Sequence, residues 1–174
     1  EMPEVRDLFE RFLPEDRRVK RLGTNIRAEQ ILALKGDAER GRRLFHEASG
    51  MQCRQCHRIA GQGVNVGPDL DGIGKKYDPA RILESLIDPS RQIDAKYVTF
   101  LLETKRGQTY QGLLVKRNDH AIILKDAQNK LIELPASEVE SLLPQAKSLM
   151  PELLLRDLTA QQVADLLAYL SSLK

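Results

Sequence analysis

The chain has 174 residues, of which 41% are hydrophobic and 30% are charged, an ordinary composition for a folded globular protein with one main core. The near balance of 27 Lys and Arg against 25 Asp and Glu leaves a net charge of +2, so we expect no nucleic acid as a partner. No stretch approaches the roughly 20 consecutive apolar residues that span a bilayer, so we expect no membrane span.

Residues 1–36 are predicted to form an N-terminal helical extension. Apolar residues recur at helical spacing over 5–13, and a second apolar group over 26–34 predicts another short helix. Pro14 and Gly23 separate these segments.

Residues 37–96 contain the rarest reactive side chains of the chain. Asp37 is placed to cap a helix that leads into Cys-Arg-Gln-Cys-His over 53–57, which holds the only two cysteines and one of the three histidines. A glycine-rich loop follows over 61–74. Asp78 as N-cap, with Pro79 at the first helical position, predicts the start of a further helix.

Residues 97–134 change to a β pattern. Four β-rich runs, separated by turn signals, predict an antiparallel meander over 97–104, 109–117, 121–125 and 130–134. We expect them to curl into a small antiparallel sheet or barrel, because an isolated hairpin is marginally stable in water. After residue 134 the helical pattern returns, and Thr159 with Gln162 predicts a capping box for a terminal helix. The expected fold class is therefore mainly α, with an inserted β element.

Cys53, Cys56 and His57 form the pattern C-x-x-C-H, the attachment signature of a c-type haem. Zinc is disfavoured because a structural site usually needs four Cys or His ligands, and His46 and His120 are not part of a second such motif. A thioredoxin-like disulfide is disfavoured because it expects a βαβ setting. Haem attachment uses all three residues: the two sulfurs bond to the porphyrin, and His57 binds the iron as an axial ligand.

The second axial ligand is expected to be Met150. The other candidates share a ligating side chain but have less suitable positions or surroundings: they are Met2, Met51, His46 and His120. Met51 is too close to the cysteines to reach the opposite haem face, and Met2 lies in the outer extension. Pro151 biases Met150 towards an extended backbone. A lone methionine among leucines is often only core, and His46, expected to be an exposed loop residue like His120, stays open for testing.

The loop Val-Gly-Pro-Asp-Leu-Asp-Gly over 66–72 resembles the G-P-x-L-x-G loop of class I c-type cytochromes. The resemblance implies that the carbonyl of Pro68 accepts the ring N–H of His57, which orients the imidazole. It also implies that Lys75 and Tyr77 lie near the haem propionates, although an ordinary exposed position for these residues stays open. The helix over 37–45 and the segment over 165–170 resemble the N- and C-terminal helices that cross in that family.

Nearly the whole chain resembles the planctomycete-type haem-binding domain family, through CRQCH, NVGPDLDGIGKKY and SLMPELLLRDLTAQQVADLLAYL. This resemblance implies a cytochrome c fold, in which residues 37–96 and 135–174 surround one covalent haem c. Residues 97–134 are then an insertion, which we expect beside the distal face of the haem, as a cover that excludes water or as a docking surface.

The expected function is transfer of single electrons by a monohaem c-type cytochrome domain, not enzymatic catalysis. Its partner would be a redox protein or a fused dehydrogenase domain, as part of or associated with a larger oxidoreductase. We expect a bacterial periplasmic or other extracytoplasmic location, because covalent haem attachment is completed there. The start at Glu1 suggests a removed leader or a piece of a longer polypeptide. A haem-based small-ligand sensor with a labile Met150 and a non-haem thiol module stay open as alternatives.

Overall fold

The computed structural model describes residues 9–47 and 53–174. Five α helices lie in these two ranges: α1 Ala28–Leu32, α2 Ala38–Glu47, α3 Ile73–Lys76, α4 Pro79–Ile87 and α5 Ala160–Ser172. The strands of the same ranges are β1 Arg58–Ile59, β2 Gln62–Gly63, β3 Thr99–Thr104, β4 Thr109–Arg117, β5 Ala121–Lys125, β6 Leu131–Pro135 and β7 Val139–Pro144. In these ranges helix and strand are present in comparable amounts, so the protein has a substantial β component and is not clearly mainly α as expected.

The predicted helix starts are confirmed by their capping bonds. The Asp37 carboxylate accepts the N–H of Arg40 at 2.8 Å, and Asp78 caps α4 with Pro79 at its first turn. The capping box of α5 is complete at Thr159. Residues 5–8 of the helix predicted over 5–13 lie outside the described residues, and a 3-10 turn occupies Glu10–Phe12 in the rest.

Helices α2 and α5 cross in close contact at Gly41. A Cβ atom at this position would lie 2.0 Å from the carbonyl oxygen of Asp165 and 2.8 Å from Cβ of Tyr169. The side chains of Phe45 and Tyr169 pack beside this point, with ring centroids 5.9 Å apart. The predicted crossing is therefore confirmed, and glycine is required because any side chain would separate the two helices.

A buried carboxylate joins the start of α2 to α5. Asp165 is only 3% exposed, and its oxygens accept the backbone N–H of Asp37 at 2.8 Å and the side-chain N–H of Gln161 at 2.9 Å. Arg40 donates to the same carboxylate from Nε at 2.6 Å and from Nη2 at 2.9 Å. Burial alone would raise the pKa of Asp165, but these hydrogen bonds outweigh it and lower the pKa below its usual value.

The N-terminal extension packs into the same core as the helices. Ile31 of α1 is 1% exposed inside the helical cluster. The N–H of Leu22 donates to the carbonyl of Leu158 at 2.8 Å. The buried core residues of this cluster are Ile31, Phe45, Ile59, Ile82, Leu83, Leu155, Leu158, Val163, Ala164, Leu166, Leu167, Tyr169 and Leu170. None of the described helices is long and apolar enough to cross a membrane.

The main sheet is antiparallel, with strand order β6-β5-β4-β3-β7. The four predicted β runs are confirmed as β3 to β6, with boundaries that differ by at most two residues. The fifth strand, β7, lies where we expected helix, and it pairs with β3. The prediction of helix here was wrong because the spacing of Val139, Leu142 and Leu143 fits a helix as well as a strand. A second core of Leu102, Ile122 and Leu124 lies on one face of this sheet.

The sheet curls strongly, because its two edge strands are joined by only the 3-10 turn Ala136–Glu138. Across a flat sheet the edges would be about 19 Å apart, from four spacings of about 4.8 Å. Four residue steps span at most about 14 Å. The N–H of Ala136 donates to the carbonyl of His120 at 2.9 Å, and the carbonyl of Glu138 accepts from the N–H of Lys105 at 2.9 Å. The turn thus bridges two distant parts of the sheet in a barrel-like closure.

The other face of the sheet lies against the loop that follows the cysteines. Thr99, Leu113 and Lys125 are cross-strand neighbours on this face, and the first two are buried. Lys125 Nζ donates to the carbonyl of Asn65 at 2.9 Å. Where the sheet ends, the N–H of Gln145 donates to the carbonyl of Thr99 at 2.8 Å. Placement of the sheet beside the distal face of a haem stays a prediction.

Candidate functional site

Cys53, Cys56 and His57 are held on a single backbone turn. The carbonyl of Cys53 accepts the N–H of Cys56 at 3.1 Å and the N–H of His57 at 2.9 Å. The turn begins with the 3-10 segment Cys53–Gln55. Side chains three residues apart eclipse one another in such a segment, so the two sulfurs project from the same side.

The two thiols are unpaired and half-buried. Burial raises the pKa of the Cys53 thiol to about 11 and also raises the pKa of Cys56. Both groups are therefore protonated thiols at neutral pH. Within the described residues, no group of three or more Cys, His, Asp or Glu side chains is arranged to hold a metal ion.

The His57 ring is oriented by the loop that follows the motif. Its Nδ1 lies 2.8 Å from the carbonyl oxygen of Pro68. Because a carbonyl can only accept, Nδ1 carries the proton and Nε2 of the neutral ring presents its lone pair. Burial lowers the pKa of His57, and the bond to Pro68 opposes this only in part. Among the described residues Nε2 has no hydrogen-bond partner, so it is available to an iron.

Gly67 allows the loop backbone to pass directly against the imidazole. A Cβ atom there would lie 2.7 Å from Cε1 and 3.0 Å from Nδ1 of His57. The carbonyl of Cys56 accepts from the N–H of Val66 at 3.0 Å and from that of Gly67 at 2.7 Å. Val66 is 3% exposed. The motif and the loop therefore form one closely packed unit that fixes the plane of the ring.

Arg58 and Asp69, which sequence reasoning missed, join the residues that follow His57 and Pro68. Nη2 of Arg58 lies 2.8 Å from Oδ2 of Asp69, and Nε donates to the same oxygen at 2.9 Å. The other oxygen, Oδ1, accepts the N–H of Asp71 at 2.9 Å. The sequence did contain one indication of this ion pair, because residues of opposite charge directly follow His57 and Pro68.

Met150 lies in a half-buried turn beyond the sheet. Its N–H donates to Oγ of Ser148 at 3.1 Å, and the N–H of Ser148 donates to Oγ of Ser90 at 3.2 Å, near the end of α4. This segment is therefore tied to the helical part of the protein. The role of Met150 as an iron ligand stays a prediction. Met2 and Met51 lie outside the described residues.

Lys75 and Tyr77 lie at the surface, around the short helix α3. Tyr77 is 38% exposed, and its ring centroid lies 4.9 Å from Nζ of Lys76 and 6.0 Å from the guanidinium carbon of Arg81. Within the described residues, no hydrogen bond or ion pair links Lys75 or Tyr77 to the cysteine motif. Their predicted proximity to propionates stays a prediction.

The two remaining histidines differ from each other. His120 is exposed in the turn between β4 and β5, as expected. His46 is not an exposed loop residue. It lies half-buried in α2, and its Nε2 is 3.2 Å from the hydroxyl of Tyr169.

These residues fit a covalently attached haem. Two unpaired thiols belong to one turn, and the adjacent imidazole is neutral, oriented and without a hydrogen-bond partner at Nε2 among the described residues. Soft sulfur and imidazole donors with a carbonyl supporting the ring are typical of such a site.

Two comparisons with known proteins agree with this geometry. The cytochrome c family model matches residues 38–133, more than half of the chain. A "Cytochrome c-553-like" protein of Synechocystis sp. (strain PCC 6803) is 38% identical over 58 residues, which cover 33% of this chain and 50% of that protein. The chain thus spans about half the length of this curated relative. The extent of the family match shows that the chain belongs to the cytochrome c family, whose members bind haem c covalently and transfer electrons.

Proposed function

We propose that this chain is a monohaem electron-transfer module, in which Cys53 and Cys56 form the thioether bonds and His57 and Met150 bind the iron. The observation that supports it most directly is the 2.8 Å contact between His57 Nδ1 and the carbonyl of Pro68, beside two unpaired thiols. When bound, the haem supplies a one-electron redox couple.

The protein's own residues would do three things for that couple. His57 holds its proton at Nδ1 through Pro68 and presents Nε2 to the metal. Gly67 lets the loop close against the ring, so the imidazole keeps one orientation. Met150 would be the second protein ligand of the iron, which would keep water and small ligands from it and raise the reduction potential relative to a second histidine.

Lys75 and Tyr77 are proposed as groups near the propionates. Both follow the loop that holds Pro68, and α3 is fixed against the end of α5 because the N–H of Gly74 donates to the carbonyl of Leu173 at 2.9 Å. Exposed cationic and hydroxyl groups at such an edge can donate to carboxylates.

The wider setting is also proposed. The electron partner would be a separate redox protein or a fused dehydrogenase domain of a larger oxidoreductase, in the periplasm or another extracytoplasmic compartment. The proposed division is an extension over 1–36, a haem domain over 37–96 and 135–174, and an insertion over 97–134. Strand β7 follows that insertion in sequence but belongs to its sheet by pairing with β3. We also propose, from the sequence resemblance, that the chain is a member of the planctomycete-type haem-binding domain family.

The first test is covalent haem attachment. Intact-protein mass spectrometry should show one added haem, and the reduced-minus-oxidised spectrum should show a low-spin c-type haem. Cys53→Ala and Cys56→Ala should each leave the haem attached by one bond or lose it during maturation. A Cys53–Cys56 disulfide in the mature protein would exclude the proposed function.

The second test is axial ligation by Met150. Met150→Ala should abolish the weak red charge-transfer band of the ferric protein, lower the reduction potential and open the iron to carbon monoxide. Leu153→Ala is the matched control, because Leu153 lies three residues away and is 49% exposed. If the unaltered reduced protein binds carbon monoxide readily, the electron-carrier function is contradicted and a small-ligand sensor is the better interpretation.

A further inference from the structure

The loop from Pro68 to Asp71 is joined to the residues around His57 by more contacts than the ring bond alone. The carbonyl of Arg58 accepts the N–H of Leu70 at 2.9 Å, and the Asp71 carboxylate accepts the N–H of Ala60 at 2.8 Å. The Arg58–Asp69 ion pair, at 2.8 Å, lies between these contacts and the bond from His57 to Pro68 in the order of the two segments. Arg58 directly follows His57, and Asp69 directly follows Pro68. Their ion pair is therefore the immediate neighbour of the hydrogen bond from His57 to Pro68.

The geometry couples Asp69 to the acceptor of the ring bond. The carbonyl of Pro68 and the N–H of Asp69 belong to one planar peptide group. Because the proline ring fixes φ of Pro68, the direction of this carbonyl depends mainly on how the Asp69 peptide is held. The carboxylate of Asp69 is held on one oxygen by Arg58 and on the other by the N–H of Asp71. A shift of Asp69 would thus turn the carbonyl away from His57.

The ion pair is too exposed to matter mainly for stability. The side chains of Arg58 and Asp69 are 43% and 34% exposed, and pairs screened to this extent contribute little to the free energy of folding. Their position beside the ring bond gives them a different role.

We propose that Arg58 and Asp69 are positioning residues, which hold the Pro68 carbonyl against the Nδ1–H of His57 and thereby set the reduction potential of the bound haem. This inference rests on the proposed function. A short Nδ1–H···O bond increases the electron donation of the imidazole and so favours the oxidised iron. Loss of either partner lengthens the bond and raises the potential.

Two single variants separate positioning from simple electrostatics. Arg58→Met removes a positive charge near the haem, and Asp69→Asn removes a negative charge. A purely electrostatic effect would lower the potential in the first variant and raise it in the second. Positioning raises the potential in both. The conservative variant Arg58→Lys, which keeps a cationic donor for Asp69 and leaves the bond from the Asp71 N–H intact, keeps the potential close to the original value.

The measurement is spectroelectrochemistry of the haem-loaded protein at fixed pH and ionic strength, together with the NMR shift of the His57 Nδ1–H in the reduced state. We expect the potential to rise in both single variants and the Nδ1–H resonance to move upfield. The matched control is Arg156→Met with Asp157→Asn, an exposed Arg–Asp pair at 2.9 Å elsewhere on the surface, which should change neither readout.

Opposite shifts of the potential in the two single variants, or an unchanged Nδ1–H resonance in both, would overturn the positioning role. If a single variant fails to retain haem, Arg58→Lys decides, since a large change of potential although the cation and the Asp71 N–H bond are kept contradicts the proposal. Failure of the proposed function looks different, because the unaltered protein would then carry no covalent haem or show no reversible one-electron couple.

Discussion

Asp165→Asn should destabilise the protein strongly, although the two side chains have the same shape. The carboxylate of Asp165 accepts four hydrogen bonds and is 3% exposed. Because the amide has the same shape, the variant leaves no cavity, but it reduces the number of hydrogen bonds that the side chain can accept. An amide offers one acceptor oxygen, and its NH₂ group would face the donors of Arg40 or Gln161. At least one buried donor then loses its partner.

The size of the effect follows from these contacts. Breaking a buried charged pair costs about 3–5 kcal/mol. Arg40 keeps access to water, since its side chain is 50% exposed, so the stranded cation is not fully buried. We therefore expect the low end, about 3 kcal/mol, which corresponds to a fall in the melting temperature of roughly 6–12 °C for a protein of this size.

The effect should disappear in acid. The pKa of Asp165 is lowered in the folded protein, so its stabilising contribution is complete above the unfolded carboxyl pKa of about 3.9 and is lost as the pH falls through the lower folded value. Urea denaturation of the haem-loaded protein, followed by far-UV circular dichroism at pH 7 and below about pH 3, measures this difference.

Glu39→Gln is the matched control, because Glu39 forms an exposed pair with Arg42 on the same helix. It should leave the unfolding midpoint at pH 7 unchanged. Equal midpoints for Asp165→Asn and the unaltered protein at pH 7 would refute the assigned role of the buried carboxylate. A difference that persists unchanged in acid would show that its charge is not responsible.

Three further variants test the packing by urea denaturation. Gly41→Ala should destabilise the protein by about 2 kcal/mol, because overpacking at the helix crossing exceeds the gain of about 1 kcal/mol in helix propensity; an unchanged midpoint would mean that the helices do not cross this closely. Thr99→Val should stabilise the protein by about 1 kcal/mol, because the buried hydroxyl of Thr99 has no partner among the described residues. Thr104→Val should destabilise it by about the same amount, because the N–H of Gln108 loses its acceptor. Changes of the same sign in the free energy of unfolding of the two variants would contradict this reasoning. Leu124→Ala should cost about 3 kcal/mol and leave the haem spectrum intact; a loss of haem would show that the two cores are not independent.

Local signals in the sequence predicted much of this fold. The caps at Asp37, Asp78 and Thr159 were predictable because each side chain bonds a backbone N–H within the next turn. The four predicted strands were correct because alternating apolar residues and turn signals identify neighbouring antiparallel strands. The haem attachment motif was equally predictable, because its cysteines and histidine have a fixed spacing in the sequence, beginning at Cys53.

Contacts between distant segments were not predictable. Strand β7 is defined by its pairing with β3, and its apolar spacing fits a helix equally well. Asp165 looks like an ordinary surface carboxylate in sequence, because its donors at Asp37 and Arg40 are far away along the chain. His46 was misplaced for the same reason, since Tyr169 is its partner.

The hydrogen bond between Gln145 and Thr99 has a consequence for how this architecture can arise and change. It joins the point where the chain enters the main sheet to the point where it leaves it. A segment whose two ends meet can be gained, lost or exchanged without moving the flanking helices, because its removal leaves only a short gap to close. The sheet can thus be exchanged as one unit.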